Sequence, residues 1–572
     1  MNPKRLLQHF NEIAEAPDAV PRLRRFILDL AVRGKLVEQD LNDEPAVELL
    51  QRIGQEKGRL VKEGIRKEKQ LPPVPEEDLP FQIPSIWQWS QLAEVGFVNP
   101  RNSADDGLQA SFVPMPLISA DYGIPVRHEV RPWGEIKSGY THFAEGDVAL
   151  AKITPCFENG KSTVFRGLTG GIGAGTTELH ILRPVIFNPD YALIFLKCPH
   201  FIENGIPRMT GTAGQKRVPT EYFAFSPFPL PPLAEQHRIV AKVDELMALC
   251  DELEAAQQKR ERRRDRLVAA TLNALNNGDG GSEPSNRSAF EESARFYFNH
   301  LPRLTTRPEH IQQLRQTILN LAVRAKLVPQ DPNDEPALEL LRLIKLECEQ
   351  LIRIGTQKSQ KPLLPIPHTD LPFQLPIGWS WCRLHDVFLS ITDGDHQPPP
   401  KAEDGVPFLV IGNIRNRSVD FAGCRFVPES YYASLDSSRR PLKGDILYTL
   451  VGSYGIPVLL HDDIPFCIQR HIGILRPSRH VNSDFMTRVL ETGFVFGQAT
   501  VFATGIAQKT VPLSGLRNIL IPLPPLAEQH RIVAKVDELM GLCDELESRL
   551  SSNMVTRHQL LEAALSEAIA PS

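Results

Sequence analysis

Apolar and polar positions divide the chain into two kinds of segment. In the first, apolar residues return every three or four positions, the period of an amphipathic helix. Leu23, Phe26, Ile27, Leu30 and Ala31 do so near the start. Beyond Pro232, Val243, Leu246, Cys250 and Leu253 form a heptad seam that turns polar at Gln257 and resumes at Leu267. A second seam runs through Val536, Leu539, Cys543, Leu546, Leu550 and Leu560. A helix over residues 233–275 would span about 64 Å. In the second kind of segment, short apolar runs at 147–153, 180–182, 407–411, 445–450 and 471–475 lie between Gly-rich and polar turns, which predicts short strands in two mixed α/β domains.

The same order of segments occurs twice. Residues 229–254 read PLPPLAEQHRIVAKVDELMALCDELE, and residues 522–547 differ from them only at Gly541 in place of Ala248. LRRFILDLAVRGKLV from Leu23 returns as LRQTILNLAVRAKLV from Leu314, with Gly34 and Ala325 at matching positions. DLPFQIPSIWQW from Asp78 returns as DLPFQLPIGWSW from Asp370. The offsets are 293, 291 and 292, far too long for a solenoid, so the chain is a duplicated pair of domains with pseudo-two-fold symmetry. The expected organisation is a helical region at 1–70, a variable domain at 71–229, a long helix at 230–277 and a linker at 278–304. A second helical region follows at 305–362, then a variable domain at 363–522 and a final helix at 523–572. The composition of NNGDGGSEPSNRS at 276–288 suggests the linker. The pairs Trp87/Trp89 and Trp379/Trp381 are expected to pack at the domain thresholds.

The two variable middles barely align. Their shared anchors are Gly146-Asp147 with Gly444-Asp445, ILRP at 181–184 and 474–477, and the loops TGTAGQKRV (210–218) and TGIAQKTV (504–511). Near-identical helices beside divergent inserts imply a scaffold with one geometric job carrying two domains that recognise different things.

Charge first argues against a nucleic-acid binder, since 64 Lys and Arg face 69 Asp and Glu, a net of −5. The excess lies elsewhere: residues 100–220 hold 12 basic and 11 acidic side chains, and residues 382–515 hold 13 of each. The acidity belongs to helices and linkers, and the variable domains are neutral. The eight cysteines form no CxxC pair, no apolar run is long enough for a membrane helix, and the first residues lack a signal-peptide core, so a cytoplasmic protein is expected.

Catalytic motifs are missing from this reading. PCFENGKS at 155–162 ends like a phosphate loop but has Pro155 where the first glycine belongs, which suggests a surface turn. TGGIGAG at 169–175 has Thr176 in place of the third glycine of a dinucleotide fingerprint and is expected to be a flexible loop. Asp393, Asp395 and His396 could form a metal cluster, but three such residues within four loop positions are more often a solvated turn, which is the expectation here. There is no Asn-Pro-Pro-aromatic tetrapeptide, HExxH or GxSxG.

PLPPLAEQHRIVAKVDELM and LRRFILDLAVRGKLV, each present twice, resemble the repeated helical segments of Type I restriction-modification specificity subunits, in the subfamily with a helical region ahead of the first variable domain. The resemblance implies an α+β chain: two target recognition domains joined by long antiparallel coiled-coil helices. It further implies that this chain binds double-stranded DNA, docks two modification (methyltransferase) subunits and restriction (translocase and nuclease) subunits, and catalyses nothing. S-adenosylmethionine, ATP and Mg are then expected on the partners, with no cofactor or metal on this chain and no membrane association. The alternatives are a cryptic methyltransferase or nuclease, or a protein scaffold without DNA.

Under this resemblance the shared loops offer Thr212, Gln215, Lys216 and Arg217, and Thr504, Gln508 and Lys509, as DNA-contacting residues. Because the loop recurs where specificities should differ, a phosphate or structural role is expected for it. The segments without a counterpart supply candidates for base contact: Arg127, Arg131 and Lys137 in the first domain, and Asn413, Arg415, Arg417, Arg439 and Arg440 in the second. Val243, Leu246, Leu253, Val536, Leu539 and Leu546 are the expected coiled-coil and docking positions.

Overall fold

A computed structural model describes residues 16, 18–63, 79–212, 214–277, 284–356, 363–396, 399–415, 417–506 and 508–569. Asp78, the proline-rich stretch before it and the glycine-rich part of the expected linker lie outside these. Contacts divide the chain into two units. One holds residues through Arg260 together with those from Met554, and the other holds Glu261–Asn553.

In the first unit the amphipathic segment forms α1 (Ala19–Val32), followed by α2 (Ala46–Lys62). α1 buries Val20, Ile27, Leu28, Ala31 and Val32. It ends where Gly34 takes a φ of +66° and the Lys35 N–H turns back to the Leu30 carbonyl at 3.0 Å. A Cβ at Gly34 would stand 2.5 Å from Pro84 Cγ, so close approach as well as the turn demands glycine.

The first variable domain holds β1 (Gln88–Gln91), β2 (Gly96–Val98), β3 (Gln109–Val113), β4 (Glu129–Pro132), β5 (Thr141–Ala144), β6 (Val148–Ala151), β7 (Ser162–Val164), β8 (Ile172–Gly175) and β9 (Leu179–Pro184). Helix α3 (Pro189–Lys197), short helices at Pro199–Gly205 and Thr220–Phe225, and strand β10 (Pro227–Leu230) follow in it. β1 and β10 pair antiparallel and close the domain at its base, Trp89 opposite Pro229. Between them lie an antiparallel sheet of order β2-β9-β6-β7 and a mixed sheet of order β4-β3-β8-β5, in which β3 and β8 run parallel. TGGIGAG is therefore a short turn and strand β8, not the flexible loop expected. A Cβ on Gly173 would stand 2.3 Å from the Phe143 ring, so its glycine allows β5 and β8 to pack closely.

The long helix α4 (Leu233–Asn277) follows. Its buried line is Ile239, Val243, Met247 and Cys250, in one core with Ile27, Leu28 and Ala31 of α1. Arg24 of α1 clasps it through Asp251 at 2.6 Å and Glu254 at 3.0 Å.

In the second unit, Pro284–Asn299 forms helix α5, which corrects the expectation of a linker over 278–304. Tyr297 of α5 is buried in a core with Val268 and Leu272 of α4 and Ile311 of α6 (Pro308–Val323). After α7 (Ala337–Arg353) come β11 (Ser380–Arg383), β12 (Phe388–Asp393), β13 (Val406–Leu409), β14 (Ile414–Arg415), β15 (Ser418–Val419) and β16 (Arg425–Val427). β17 (Ile446–Thr449), β18 (Pro457–Leu459), β19 (Cys467–Ile468), β20 (Ile472–Pro477), α8 (Ser483–Leu490), a helix at Gly493–Phe502, β21 (Leu520–Leu523) and α9 (Leu526–Ile569) follow, α9 continuing past Met554 into the first unit.

The sheet β12-β20-β17-β18 repeats β2-β9-β6-β7 strand for strand, and β16-β13-β19, with β13 and β19 parallel, repeats β4-β3-β8. The middles thus share one α+β fold despite their divergence. Among the described residues the second has no counterpart of β5, and it has a β14–β15 hairpin that the first lacks.

The seam residues do not all stand where a docking surface needs them. Val243 and Val536 are fully buried within their own units, and Leu246, Leu253, Leu539 and Leu546 pack at the edges of the same cores. In α9, Arg315 of α6 reaches Asp544 at 2.7 Å and Glu547 at 3.0 Å, as Arg24 does in the first unit. The N-terminal half of each seam packs on the preceding helix of its own repeat, whereas Val268 and Leu272 farther along α4 pack on α5 and α6. Val243 and Val536 are thus the packed core of their seams, which fits the coiled-coil part of the expectation.

Candidate nucleic-acid interface

Each variable domain is fixed to its long helix by the repeated AEQHR residues. Glu235 is buried and accepts hydrogen bonds from the Trp87 indole at 2.8 Å and the Gln39 amide at 2.6 Å. Burial pushes its carboxyl upward, and the two donors oppose that rise. Gln236 accepts from the Asn188 N–H at 3.0 Å and donates to the Pro231 carbonyl at 2.9 Å. The Asn188 amide donates to His237 Nδ1 at 3.1 Å, and Arg238 pairs with Asp43 at 2.6 Å.

The second copy repeats this set. Trp379 donates to Glu528 at 2.9 Å, and Gln529 accepts from the Asn482 N–H at 2.9 Å and donates to the Pro524 carbonyl at 3.0 Å. Asn482 donates to His530 at 2.9 Å, and Arg531 pairs with Asp334 at 2.6 Å. The four polar residues of the motif are occupied in holding the joint, a role that accounts for their identity in both copies. Trp89 packs on Phe81 and Trp381 on Phe373, so the tryptophan pairs are packing residues as expected.

The other shared anchors meet in space. Arg183 of ILRP embraces the buried Asp147 with bonds of 2.9 and 2.7 Å, and Arg476 holds Asp445 at the same two distances. These pairs tie β9 to the turn before β6, and β20 to the turn before β17.

The shared loops sit alike on their domains. Thr210 and Arg217 exchange backbone hydrogen bonds of 3.0 and 2.8 Å, and the Thr154 N–H donates to the Lys216 carbonyl at 2.9 Å. Thr504 and Thr510 do the same at 2.9 and 2.8 Å, and the Gly452 N–H donates to the Lys509 carbonyl at 3.0 Å. Thr212, Gln215 and Lys216, like Thr504, Gln508 and Lys509, are exposed. Arg217 is half-buried and paired with Glu178 at 2.8 Å.

The candidates without counterparts fare differently. Arg127 is exposed ahead of β4. Arg131 lies on β4, pairs with Glu129 at 2.6 Å and stacks 4.0 Å above the Phe112 ring. Lys137 pairs with Asp106 at 2.6 Å. In the second domain Arg415 is exposed on β14 with its Nε on the Gly412 carbonyl at 2.8 Å, Arg417 reaches Glu491 at 3.2 Å, and Arg439 reaches Asp395 at 3.2 Å. Arg440 donates to the Leu435 and Ala433 carbonyls at 2.6 Å, a structural tether. Asn413 is buried, accepting from the Val410 N–H and donating to the Asp420 carbonyl, both at 2.9 Å. Its amide holds a turn and is not offered outward, which corrects its place among the base-contacting candidates.

Asp393 meets His396 at 3.0 Å, while Asp395 is engaged by Tyr431 and Arg439. Among the described residues no group of three His, Cys, Asp or Glu could hold a metal, and no helix is long and apolar enough to cross a membrane. PCFENGKS buries Phe157 and closes as a turn.

Residues 376–554 match the family model of the Type I restriction modification DNA specificity domain. The chain is 39% identical over 567 residues to the EcoAI specificity subunit of Escherichia coli, covering 96% of this chain and 94% of that one. It is 40% identical over 569 residues to the EcoEI specificity subunit of Escherichia coli, with the same coverage. The HsdS subunit from Thermoanaerobacter tengcongensis covers 86% of this chain and 98% of its own, at 20% identity and a TM-score of 0.45. With two relatives at this identity over almost all of both chains, the chain belongs to the specificity subunits of Type I restriction enzymes.

Proposed function

We propose that this specificity subunit reads an asymmetric, bipartite DNA site, one half with each variable domain, and itself catalyses nothing. The observation that carries this is the pairing of identical joints with divergent surfaces. AEQHR holds both domains to their helices by the same contacts, whereas the segments bearing Arg127, Arg131 and Lys137 differ from those bearing Arg415, Arg417 and Arg439. Identical joints attach both readers to the scaffold in the same way, so a constant gap between half-sites is expected, and different readers give different half-sites.

Two modification subunits and the restriction subunits dock on this chain in the cytoplasm. They supply S-adenosylmethionine, ATP and Mg chemistry. The shared loops bind the phosphate backbone, and much of the remaining phosphate neutralisation comes from partners, because the variable domains are nearly neutral. Sequencing methylated adenines in a host carrying the complete system tests this. A split, asymmetric motif with a constant gap is expected, and a continuous or palindromic motif overturns the proposal.

A further inference from the structure

Asn188 and Asn482 cap α3 and α8 and make the same contacts with AEQHR, which aligns the two helices residue by residue. Ten residues past each asparagine, Cys198 and Thr492 both cap the next helix, and this confirms the alignment. The ninth position holds Lys197 in one copy and Glu491 in the other.

Lys197 is 6% exposed and donates to the Ala120 carbonyl at 2.8 Å and the Gly160 carbonyl at 3.0 Å. The Ser119 carbonyl stands at 3.5 Å. It therefore fixes the start of the segment leading to Arg127 and the end of the turn that begins at Thr154, where the 210–218 loop is seated. The side chain of Glu491 is 3% exposed and meets Arg417 at 3.2 Å and Arg488 at 3.3 Å. Arg417 has a φ of +59°, which strains a non-glycine residue, and lines a cavity of about 370 Å³ with Val419, Phe421, Phe466, Arg488 and Glu491.

The two charges are opposite and the local partners unrelated, yet both side chains anchor a segment found in only one copy. The position diverged together with the surface it supports. The joint residues, which support something common, did not diverge.

We infer that Lys197 and Glu491 are positioning residues for base reading: each sets the reading segments of its own domain and so governs one half of the target. This rests on the bipartite reading above. The test uses the full chain in a host with the complete system, comparing wild type with Glu491→Gln, Arg417→Ala, Lys197→Met and Lys197→Arg. Methylated adenines are sequenced, and the melting temperature of each assembled complex is recorded.

Glu491→Gln is expected to loosen base choice about 10-fold at positions within one half-site, the lower end of what a single base pair contributes. Lys197→Met loosens the opposite half, and Lys197→Arg less so. If Glu491→Gln does not assemble, Arg417→Ala, which keeps the Glu491–Arg488 pair, loosens the same half. An unchanged motif, loosening of both halves by one variant, or methylation that merely declines with melting temperature overturns the inference. A wild-type motif that is not split refutes the underlying proposal instead.

Discussion

Trp87 and Trp379 occupy equivalent places, but their substitution has unequal consequences. Trp87→Phe removes one donor from Glu235, which keeps the Gln39 amide at 2.6 Å. Trp379→Phe removes the donor from Glu528, whose Oε1 is already buried without a hydrogen-bond partner among the described residues. Losing a hydrogen bond to a charged acceptor costs about 1.5–3 kcal/mol. A carboxylate left buried with no donor raises the cost to about 3–5 kcal/mol. The ring truncation is common to both, so Trp379→Phe should be the worse by about 2 kcal/mol.

The pH dependence has a definite sign. Burial already pushes the Glu528 carboxyl up, and loss of the indole donor pushes it further. The native state then holds a proton that the unfolded chain has released. The deficit is therefore smallest below the unfolded carboxyl pKa of about 4.3 and grows as pH rises through the elevated native value. Hydrogen exchange read by mass spectrometry on peptides spanning β1 and β11 measures each joint separately, which a global transition of a two-unit chain cannot do. Equal deficits, or a Trp379→Phe deficit larger at pH 5 than at pH 8, would refute the reasoning.

Two further substitutions test the first unit and its counterpart in the second. Gly34→Ala combines a left-handed φ with a Cβ 2.5 Å from Pro84, so hydrogen exchange on peptides spanning α1 should show a loss above about 2 kcal/mol, whereas Ala325→Gly at φ +56° should leave α6 peptides neutral or stabilised by up to about 1 kcal/mol. The opposite ranking would remove the backbone argument. His180, buried against Phe223 with Nε2 on the Val218 carbonyl at 3.0 Å, is lowered by burial to about 4. Its native state stays neutral where the unfolded chain protonates, so it contributes stability above about pH 6.5 that is lost, by about 3 kcal/mol, as pH falls to about 4. Denaturation profiles of His180→Gln should be flatter than wild type over that interval, and parallel profiles would exclude His180 as the cause.

Much of this architecture is legible in the sequence because duplication supplies an internal comparison. Helices announce themselves by their period, and the expected strand segments at 147–153, 180–182, 407–411, 445–450 and 471–475 overlap β6, β9, β13, β17 and β20. The shared topology of the middles is not legible. β3 and β8 pair across about sixty residues, and β13 pairs with β19 across a similar gap, with sequences related only by alternation. α5 escaped because glycine and serine immediately before it mask its helical run. The seams were visible, but periodicity names a buried face without naming what buries it, and α1 and α6 supplied the partners. AEQHR was visible as a repeat, and only the distances give each residue its task. Lys197 and Glu491 carry no sequence signal, since their equivalence depends on the caps two turns earlier.

Neutral domains that bear so many basic residues find their explanation in the local pairs: Arg131 with Glu129, Lys137 with Asp106, Arg217 with Glu178 and Arg439 with Asp395. An exposed ion pair is weak, so a carboxylate can orient a guanidinium and still yield it to DNA. The same carboxylate repels phosphate wherever the correct contact is not made, which holds down non-specific binding. Glu178 is the clearest case, because Arg217 draws its carboxyl below the usual range and it remains charged at pH 7. Glu178→Gln should therefore tighten binding of the assembled complex to unrelated DNA and steepen the dependence of log K on log salt by about 1, while the ratio of specific to non-specific affinity falls. Binding titrations across a salt series read all three quantities. If Arg217 faced away from DNA, none of them would move, and the 210–218 loop would serve only to pack its domain.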